Sequence, residues 1–356
     1  MGALTPLRSA RSRNDRPRAS RSARTRRPAR WTGSRSTERV LAAMGLYAIT
    51  NDRLLAADNR AENTQAAATI SLSPKGSSVN LDSLTDQDRI ALMEQAFSSV
   101  DELCGMLDDG DWDLPTDCPG WSVKDSLSHL VSYEAAAIGR PPAPPLVDPE
   151  RFPYIKDEIQ AGNEREVEWR RSRSGAEVLA EYREVVAERL AQLRGLDQTS
   201  RMTETDTPIG LKDIPWVKFL PVRVTDFFFH EQDMRRATGK PGHLNGAVGL
   251  TVFERMATIS LPRFSRWLSA LPDGEAVAFD VEAPGRSFAI TVADGKGRTI
   301  DAATDPKITI TADFEAFLLL IGGRRPASEL IATGRVAVRG DEELAGTVLA
   351  QIAVVP

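Results

Sequence analysis

The sequence has few of the residues that build disulfide frameworks and zinc knuckles. Its 356 residues include only two cysteines, and the spacing of Cys104 and Cys118 fits neither kind of motif. This scarcity is consistent with a reducing compartment, so we expect a cytoplasmic location. Histidine is also scarce. Of its three copies, His129 and His230 lie in strongly helical sequence and His243 lies in a Lys-Pro-Gly-His loop.

Long apolar runs are absent, and the part of the chain expected to fold has no excess of positive charge. No apolar run approaches about 18 residues, so we expect no transmembrane span. The net charge is −5, but residues 1–40 carry twelve arginines against Asp15 and Glu38, a net of +10. Residues 41–356 therefore carry −15, and we expect no nucleic-acid binding by this acidic part.

Residues 1–80 differ in composition from the rest of the chain. Arg, Ser, Pro and Thr dominate the first 40 residues without any apolar period, which predicts a disordered extension. It could also be a basic nucleic-acid arm or an Arg- and Ser-rich targeting peptide. A third interpretation, favoured because nothing in the segment could join a core, is that the start codon was assigned too early.

Between Thr85 and about residue 270 the apolar residues recur at helical spacing. Thr85 with Asp88 resembles a capping box, and Ser122 is expected to cap a second helix. Cys104 falls on the apolar stripe of the first helix, where we interpret it as a small buried hydrophobe. The expected helices lie at 85–107, 122–139, 155–171, 174–193 and 246–270, and residues 195–214 form a long polar connection.

The period changes after the Leu271–Gly274 segment, where we place a domain boundary. Alternating apolar residues predict two strands joined by a Pro-Gly-Arg hairpin turn. The sequence therefore predicts a helical domain at 84–272 and an α+β domain at 275–356. In the second domain we expect strands at 277–281, 288–292, 298–303, 307–311 and 335–339, helices at 312–322 and from Asp341, and one short helix between them.

The most informative stretch runs from Asp226 through three phenylalanines to His230. On a helix these two side chains lie on one face, one turn apart, and Arg223 extends that face. The other faces are apolar, so the helix is expected to be buried, and a buried charged stripe needs a partner or a cation. Together with His129 from another helix, these residues form a plausible divalent-metal set. Pro221 either opens or kinks this helix, which is expected to end at Gly239.

His129 also has a purely structural interpretation. It lies beside the apolar face of its helix, with Asp125 one turn before it. A core histidine tied to Asp125 explains this pattern as well as a metal ligand does, and the residues alone favour it.

Three blocks of sequence together resemble the mycothiol-dependent maleylpyruvate isomerase family. Each block is modest, but their order and spacing are specific, and the resemblance covers about 84–356. The blocks are Cys118-Pro-Gly-Trp121-Ser-Val-Lys-Asp125 with His129-Leu130, His230-Glu-Gln-Asp233-Met-Arg235 with Thr238-Gly239-Lys-Pro241, and Thr333-Gly-Arg-Val-Ala-Val-Arg-Gly-Asp341.

The resemblance implies a four-helix DinB-like bundle that binds metal, followed by a small α+β sterol-carrier-like domain. It implies His129, Asp226 and His230 as ligands of a divalent metal, with zinc the expected ion, and so reverses the interpretation of His129. Glu also occurs in the family where this chain has Asp226. Because Asp is one methylene shorter, the metal would lie closer to the backbone or bind more weakly.

The implied chemistry is thiol-dependent. Mycothiol would supply a thiolate that isomerises maleylpyruvate to fumarylpyruvate, or that adds to a related small-molecule electrophile. Asp125 would orient His129. Arg223 would either bind a substrate carboxylate or pair with Asp226, whereas Asp233 is expected to pair with Arg236.

Other roles remain open. Arg335 and Arg339 are candidates for binding the cofactor or a substrate carboxylate, although both could be surface charges. Cys118 could lie near the site, because its loop precedes the helix that carries His129. We expect a monomer or a homodimer that contacts neither membrane nor nucleic acid.

Two alternatives to the thiol-dependent enzyme remain. A non-enzymatic module would hold the metal structurally, with Glu231 or Glu134 as the fourth ligand that closes the site, and its C-terminal domain would hold an apolar ligand or partner. A hydrolase would use metal-bound water and would need a general base, for which only Asp125 and Glu134 are candidates.

Overall fold

The computed structural model describes residues 79–197, 200–202 and 213–355. The extension predicted for 1–80 lies outside this part except for Val79 and Asn80, as does most of the predicted connection at 195–214. Within the described residues, no helix is long and apolar enough to cross a membrane.

Five helices make up the bundle region. Three of them begin with capping boxes, at Thr85, Ser122 and Ser174, which confirms the two starts predicted from capping residues. In each case the side chain of the capping residue accepts a hydrogen bond from a backbone N–H that the first turn leaves unpaired. The helices are α1 (Asp86–Gly105), α2 (Val123–Ala137), α3 (Glu158–Arg170), α4 (Gly175–Gly195) and α5 (Trp216–Thr238).

Four of these helices close into a bundle. Both α1 and α2 pack against α4 and α5, and α3 lies against α2. Inside, the Phe97 and Phe227 rings are 5.1 Å apart, and the Tyr182 hydroxyl donates to the Phe97 carbonyl at 2.8 Å. As expected, α5 is buried on nearly every face. Pro221 lies inside α5, so the prediction that it opens the helix is wrong, and Gly239 ends α5 with a φ of 63°.

The single helix predicted at 246–270 is wrong in detail. The segment contains α6 (Ala247–Arg255), a π-helical turn (Met256–Ser260), α7 (Leu261–Phe264) and a 3₁₀ turn (Arg266–Ala270). Pro262 has no backbone N–H to continue a regular helix, and the π turn directly precedes α7.

The C-terminal part is a mixed five-stranded sheet with helices. Its strand order is β5-β4-β3-β6-β7; only β3 and β6 run parallel, and the other neighbours are antiparallel. A short ladder of β1 (Arg201–Met202) with β2 (Ile214–Pro215) in the bundle region was not predicted. The sheet strands are β3 (Ala276–Val281), β4 (Ser287–Ala293), β5 (Lys296–Ile300), β6 (Ile308–Ala312) and β7 (Val336–Gly340), and the helices are α8 (Phe314–Ile321), α9 (Ala327–Ala332) and α10 (Glu342–Ala350).

Phe253 links the helical region to the sheet domain. This side chain of α6 is fully buried, and its ring centroid lies 5.4 Å from those of both Phe314 and Phe317. In addition, α7 packs on β4 and β5. The segment predicted as a helix at 246–270 therefore contributes to the core around the sheet, and the domain boundary at 271–274 stays a prediction.

Candidate metal centre

Two helices bring the three predicted ligands together. His129 lies on α2, and Asp226 and His230 lie one turn apart on α5. One ligand atom from each residue lies within 4.8 Å of the other two, and the two imidazole centroids are 4.8 Å apart. Both histidines are buried, whereas the Asp226 side chain is 19% exposed, so the cluster has one open side.

Several polar atoms of this cluster lack a hydrogen-bond partner. His129 Nε2 lies 3.3 Å from Asp226 Oδ2, but His230 Nε2 lies 3.6 Å from Asp226 Oδ1, too far for a hydrogen bond. The Nδ1 atoms of both histidines are buried without a hydrogen-bond partner. Since His230 Nε2 makes no hydrogen bond with Asp226, and two imidazoles with a carboxylate are ordinary zinc donors, these residues fit a divalent ion on the side of their Nε2 atoms.

The protonation states also favour a cation. Burial raises the pKa of Asp226, but Arg223 and His129 outweigh it and hold that pKa below its ordinary value. Burial lowers the pKa of His230 well below its ordinary value, more than the Asp226 carboxylate raises it. The site therefore presents an ionised carboxylate and a neutral His230 imidazole, the forms in which these side chains bind metals.

Arg223 positions the aspartate. Its Nη1 donates to Asp226 Oδ2 at 2.6 Å and its Nε donates to Glu134 Oε1 at 2.9 Å. Its guanidinium lies 4.1 Å above the centre of the Tyr133 ring. Of the two roles predicted for Arg223, pairing with Asp226 is thus the one for which the structure provides contacts.

Asp125 was predicted to orient His129, but the two side chains share no hydrogen bond. Its Oδ2 accepts from the backbone N–H of Ser122 at 3.1 Å in the capping box, and Arg171 approaches both of its oxygens at 3.3 and 3.4 Å. Nδ1 of His129 has no partner at all. The cap geometry explains the difference, because it turns the carboxylate toward the helix start and away from the next turn.

Two aromatic residues of the site were missed as site residues by the sequence reasoning. The Trp121 ring centroid lies 5.0 Å from that of His129 and 5.6 Å from that of His230, and its Nε1 donates to Glu164 at 2.9 Å. The Tyr133 ring centroid lies 5.8 Å from that of His129, and the buried Tyr133 hydroxyl has no hydrogen-bond partner. The position of Tyr133, one helical turn after His129, was the available signal.

Cys118 lies beside the site, as the sequence allowed. Cys118, His230 and Asp233 form a second group whose potential ligand atoms lie within 4.8 Å of one another. Burial raises the pKa of Cys118 to about 11, so without a metal the side chain is a thiol. Asp233 pairs with Arg236 as predicted, and also with Arg324 Nε at 3.0 Å. Arg324 belongs to the C-terminal domain, so this domain contributes a cation at the edge of the site.

The predicted cofactor-binding arginines are elsewhere. Arg335 is held by Asp313 at 2.8 Å and by Glu315 at 2.9 Å, and Arg339 is exposed on β7 at the edge of the sheet. Among the described contacts, neither arginine touches the three candidate ligands, so their cofactor role stays a prediction.

Among the described residues, neither predicted closing ligand has an atom grouped with those of His129, Asp226 and His230. Glu134 pairs with Arg189 and Arg223, and Glu231 pairs with Arg235 at 2.6 Å. Because it pairs with both arginines, Glu134 is a poor proton acceptor. This weakens one of the two candidate general bases of the hydrolase alternative.

The fold and the site define a two-part protein, a helical bundle with a candidate three-ligand metal centre joined to an α+β domain. Residues 93–235 match the family model of the mycothiol maleylpyruvate isomerase N-terminal domain, and residues 271–351 match that of the SCP-2 sterol transfer family. The two matches cover the helical part and the C-terminal part in turn, and they confirm the resemblance identified from the sequence.

Solved structures resemble the chain only distantly. A crystal structure of the mycothiol-dependent maleylpyruvate isomerase is 14% identical, covers 73% of this chain and 95% of that chain, and has a TM-score of 0.48. The UbiJ-SCP2 ubiquinone synthesis protein is 18% identical, covers 26% of this chain and 78% of that chain, and has a TM-score of 0.22. No curated protein matches the chain.

Proposed function

We propose that this protein is a metal-dependent enzyme in which mycothiol isomerises maleylpyruvate or adds to a related electrophile. The observation that carries the proposal is the convergence of His129, Asp226 and His230 from two helices. A divalent ion, zinc being the expected one, would lower the pKa of a thiol bound to it and so provide a nucleophile at neutral pH. Three protein ligands leave a coordination position open, as catalytic sites require.

The residues around the three ligands have separate tasks. Arg223 holds Asp226 ionised and fixes its orientation through a 2.6 Å ion pair. Trp121 covers both imidazoles, which shields them from water and limits how far their rings can turn. Neither Cys104, which is buried in the core, nor Cys118 is needed as the nucleophile, because the thiol comes from the cosubstrate.

An acidic substrate needs a cation near the open side. Arg324 is the best placed, because it contacts Asp233 and exerts an electrostatic effect on both His230 and Cys118. It also lines a cleft between α5 and α8, together with Phe228, Phe229, Gln232, Arg236, Leu244, Glu315, Leu318 and Leu319. We assign the substrate carboxylate to Arg324 in place of Arg335 and Arg339.

Metal content is the first test. Wild type and His230→Ala, expressed with added zinc, are compared by elemental analysis, with His243→Ala as the matched control because His243 lies outside the ligand set. We expect at least one ion per chain in wild type and in the control. His230→Ala should lose the ion and also thiol-dependent turnover of maleylpyruvate. A wild type without metal, or a His230→Ala protein that keeps both metal and activity, would refute the proposal.

A further inference from the structure

His230 has a second ring nitrogen that the proposed enzyme does not use. Nε2 is directed toward Asp226, whereas Nδ1 lies on the other side of the ring, 3.7 Å from Asp233 Oδ2. This Nδ1 atom is buried without a hydrogen-bond partner, in a side chain that is only 7% exposed. An unpaired buried nitrogen requires a partner that the protein atoms do not supply.

Cys118 provides a sulfur donor next to His230 and Asp233. Its Sγ belongs to the group in which Cys118, His230 and Asp233 place ligand atoms within 4.8 Å of one another. Two ligands of one zinc ion lie at most about 4 Å apart, so a small side-chain rotation would close the set.

The loop that carries Cys118 is held in place from both sides. Its backbone N–H donates to Thr116 Oγ1 at 3.3 Å, and its carbonyl accepts from the Trp121 N–H at 3.1 Å. The preceding residue, Asp117, pairs with Arg236 at 2.7 Å and with Arg325 of the C-terminal domain at 2.6 Å. The sulfur is therefore positioned before any ion arrives.

We infer that Cys118, His230 Nδ1 and Asp233 form a second metal position, on the opposite side of the His230 ring from Asp226, that takes a thiophilic divalent ion such as zinc or cadmium. Binding forms a metal–sulfur bond and releases the thiol proton to solvent. His230 binds through an Nδ1 that carries no proton, so when an ion also occupies Nε2 the ring proton leaves to solvent as well. The position is independent of mycothiol and of turnover, so it goes beyond the proposed function.

The charges around Asp233 determine which ions this position accepts. Arg236 and Arg324 already hold its carboxylate, so an ion that depends on oxygen ligands gains little there. Sulfur and imidazole provide most of the binding, and this combination selects zinc-like ions over magnesium or calcium.

Cobalt(II) substitution of the full chain tests the inference. Thiolate ligation of cobalt produces an intense charge-transfer band in the near ultraviolet, which nitrogen and oxygen ligands alone do not produce. Metal-free wild type, Cys118→Ser, Cys104→Ser and His129→Ala are titrated with cobalt(II), and circular dichroism verifies folding. The buried Cys104 provides the matched control.

We expect the band in wild type, in Cys104→Ser and in His129→Ala, and its complete loss in Cys118→Ser. A wild type without the band overturns the inference, as does a Cys118→Ser protein that keeps it. If folded His129→Ala loses the band, Cys118 belongs to the His129 site and the second position does not exist. A wild type that lacks the band yet holds one ion and turns over maleylpyruvate refutes only the second position and leaves the proposed function intact.

Discussion

Helix α5 carries two buried charged clusters on neighbouring faces, and they differ in how well their atoms are paired. The first, which we term the metal cluster, consists of His129, Arg223, Asp226 and His230. The second, which we term the ion-pair cluster, consists of Ser99, Glu231, Arg235 and His243. Each contains an arginine, an acid and histidine, so residue types alone do not separate them.

The ion-pair cluster satisfies its own groups. Glu231 accepts from Arg235 Nε at 2.6 Å and from the Ser99 hydroxyl, and it lies 3.4 Å from His243 Nδ1. Arg235 also donates to the Lys240 carbonyl at 3.2 Å. Among the described residues, no buried side-chain atom of this cluster lacks a hydrogen-bond partner.

The metal cluster leaves buried atoms unpaired. These include Nδ1 of both histidines, Nη2 of Arg223 and the hydroxyl of the adjacent Tyr133. Both clusters bury charge, but only the metal cluster leaves buried polar atoms without a hydrogen-bond partner. Unpaired atoms, more than buried charge itself, distinguish a candidate ligand site from a structural ion pair.

The largest expected effect lies in the ion-pair cluster. Glu231→Gln leaves the buried Arg235 without its counter-charge, so we expect the free energy of unfolding to fall by about 3 kcal/mol. Metal content should not change. Urea denaturation and elemental analysis measure the two quantities, with the exposed Glu102→Gln as a control within about 0.5 kcal/mol of wild type. Loss of metal with unchanged stability would reverse the roles of the two clusters.

Arg223 should affect the metal without being a ligand. Arg223→Lys removes the fixed guanidinium contact with Asp226, so we expect zinc affinity to fall about 10- to 100-fold. Competition with a chromophoric chelator measures this change. Arg189→Lys is the matched control, because Arg189 holds the other oxygen of Glu134 and does not contact Asp226. Equal effects of the two variants would mean that Glu134, and not Asp226, transmits the change.

The metal-free protein should be sensitive to acid through His230. Its pKa is lowered by burial, so below the ordinary value of about 6.5 the unfolded chain binds a proton that the folded chain does not. Stability should therefore fall with decreasing pH from about 6.5, by at most about 1.4 kcal/mol per pH unit. Denaturation between about pH 7 and 5 measures the slope. His230→Gln should flatten it, and an unchanged slope would exclude His230 as the group responsible.

The smallest expected effects are on KM, and they distinguish Arg324 from Arg339 in the C-terminal domain. Arg324→Ala should raise KM for an acidic electrophile about tenfold, because a charged hydrogen bond contributes roughly 1.5 kcal/mol. The exposed Arg339→Ala should leave KM for both substrate and thiol unchanged, since surface changes rarely matter. Steady-state kinetics of the two variants measure both KM values. A raised KM for mycothiol in Arg339→Ala would restore the predicted cofactor role of this residue.

Most helix positions and the alignment of Asp226 with His230 on one helix face were predictable because they depend on local chemistry. The capping boxes at Thr85 and Ser122 and the Asp226/His230 pair follow from spacing along one helix. The pairing of Asp233 with Arg236 was predicted for the same reason. The role of His129 was harder to predict, since the residues alone favoured a core histidine and only the family resemblance favoured a metal ligand.

Contacts between distant segments were not predictable. Asp125 was expected at His129 but is occupied by Ser122 and by Arg171 from the end of α3. Arg324 was overlooked because nothing near it in the sequence indicates that it reaches Asp233, 91 positions away.

The sequence by itself determined most of the helices and strands and the one-turn spacing of Asp226 and His230, because hydrophobic period and capping act within a few residues. Only the tertiary structure decided which polar atoms remain unpaired. Pairing depends on side chains such as Glu134, Arg171 and Arg324 that arrive from other elements, and the burial that makes an unpaired atom costly exists only once those elements pack.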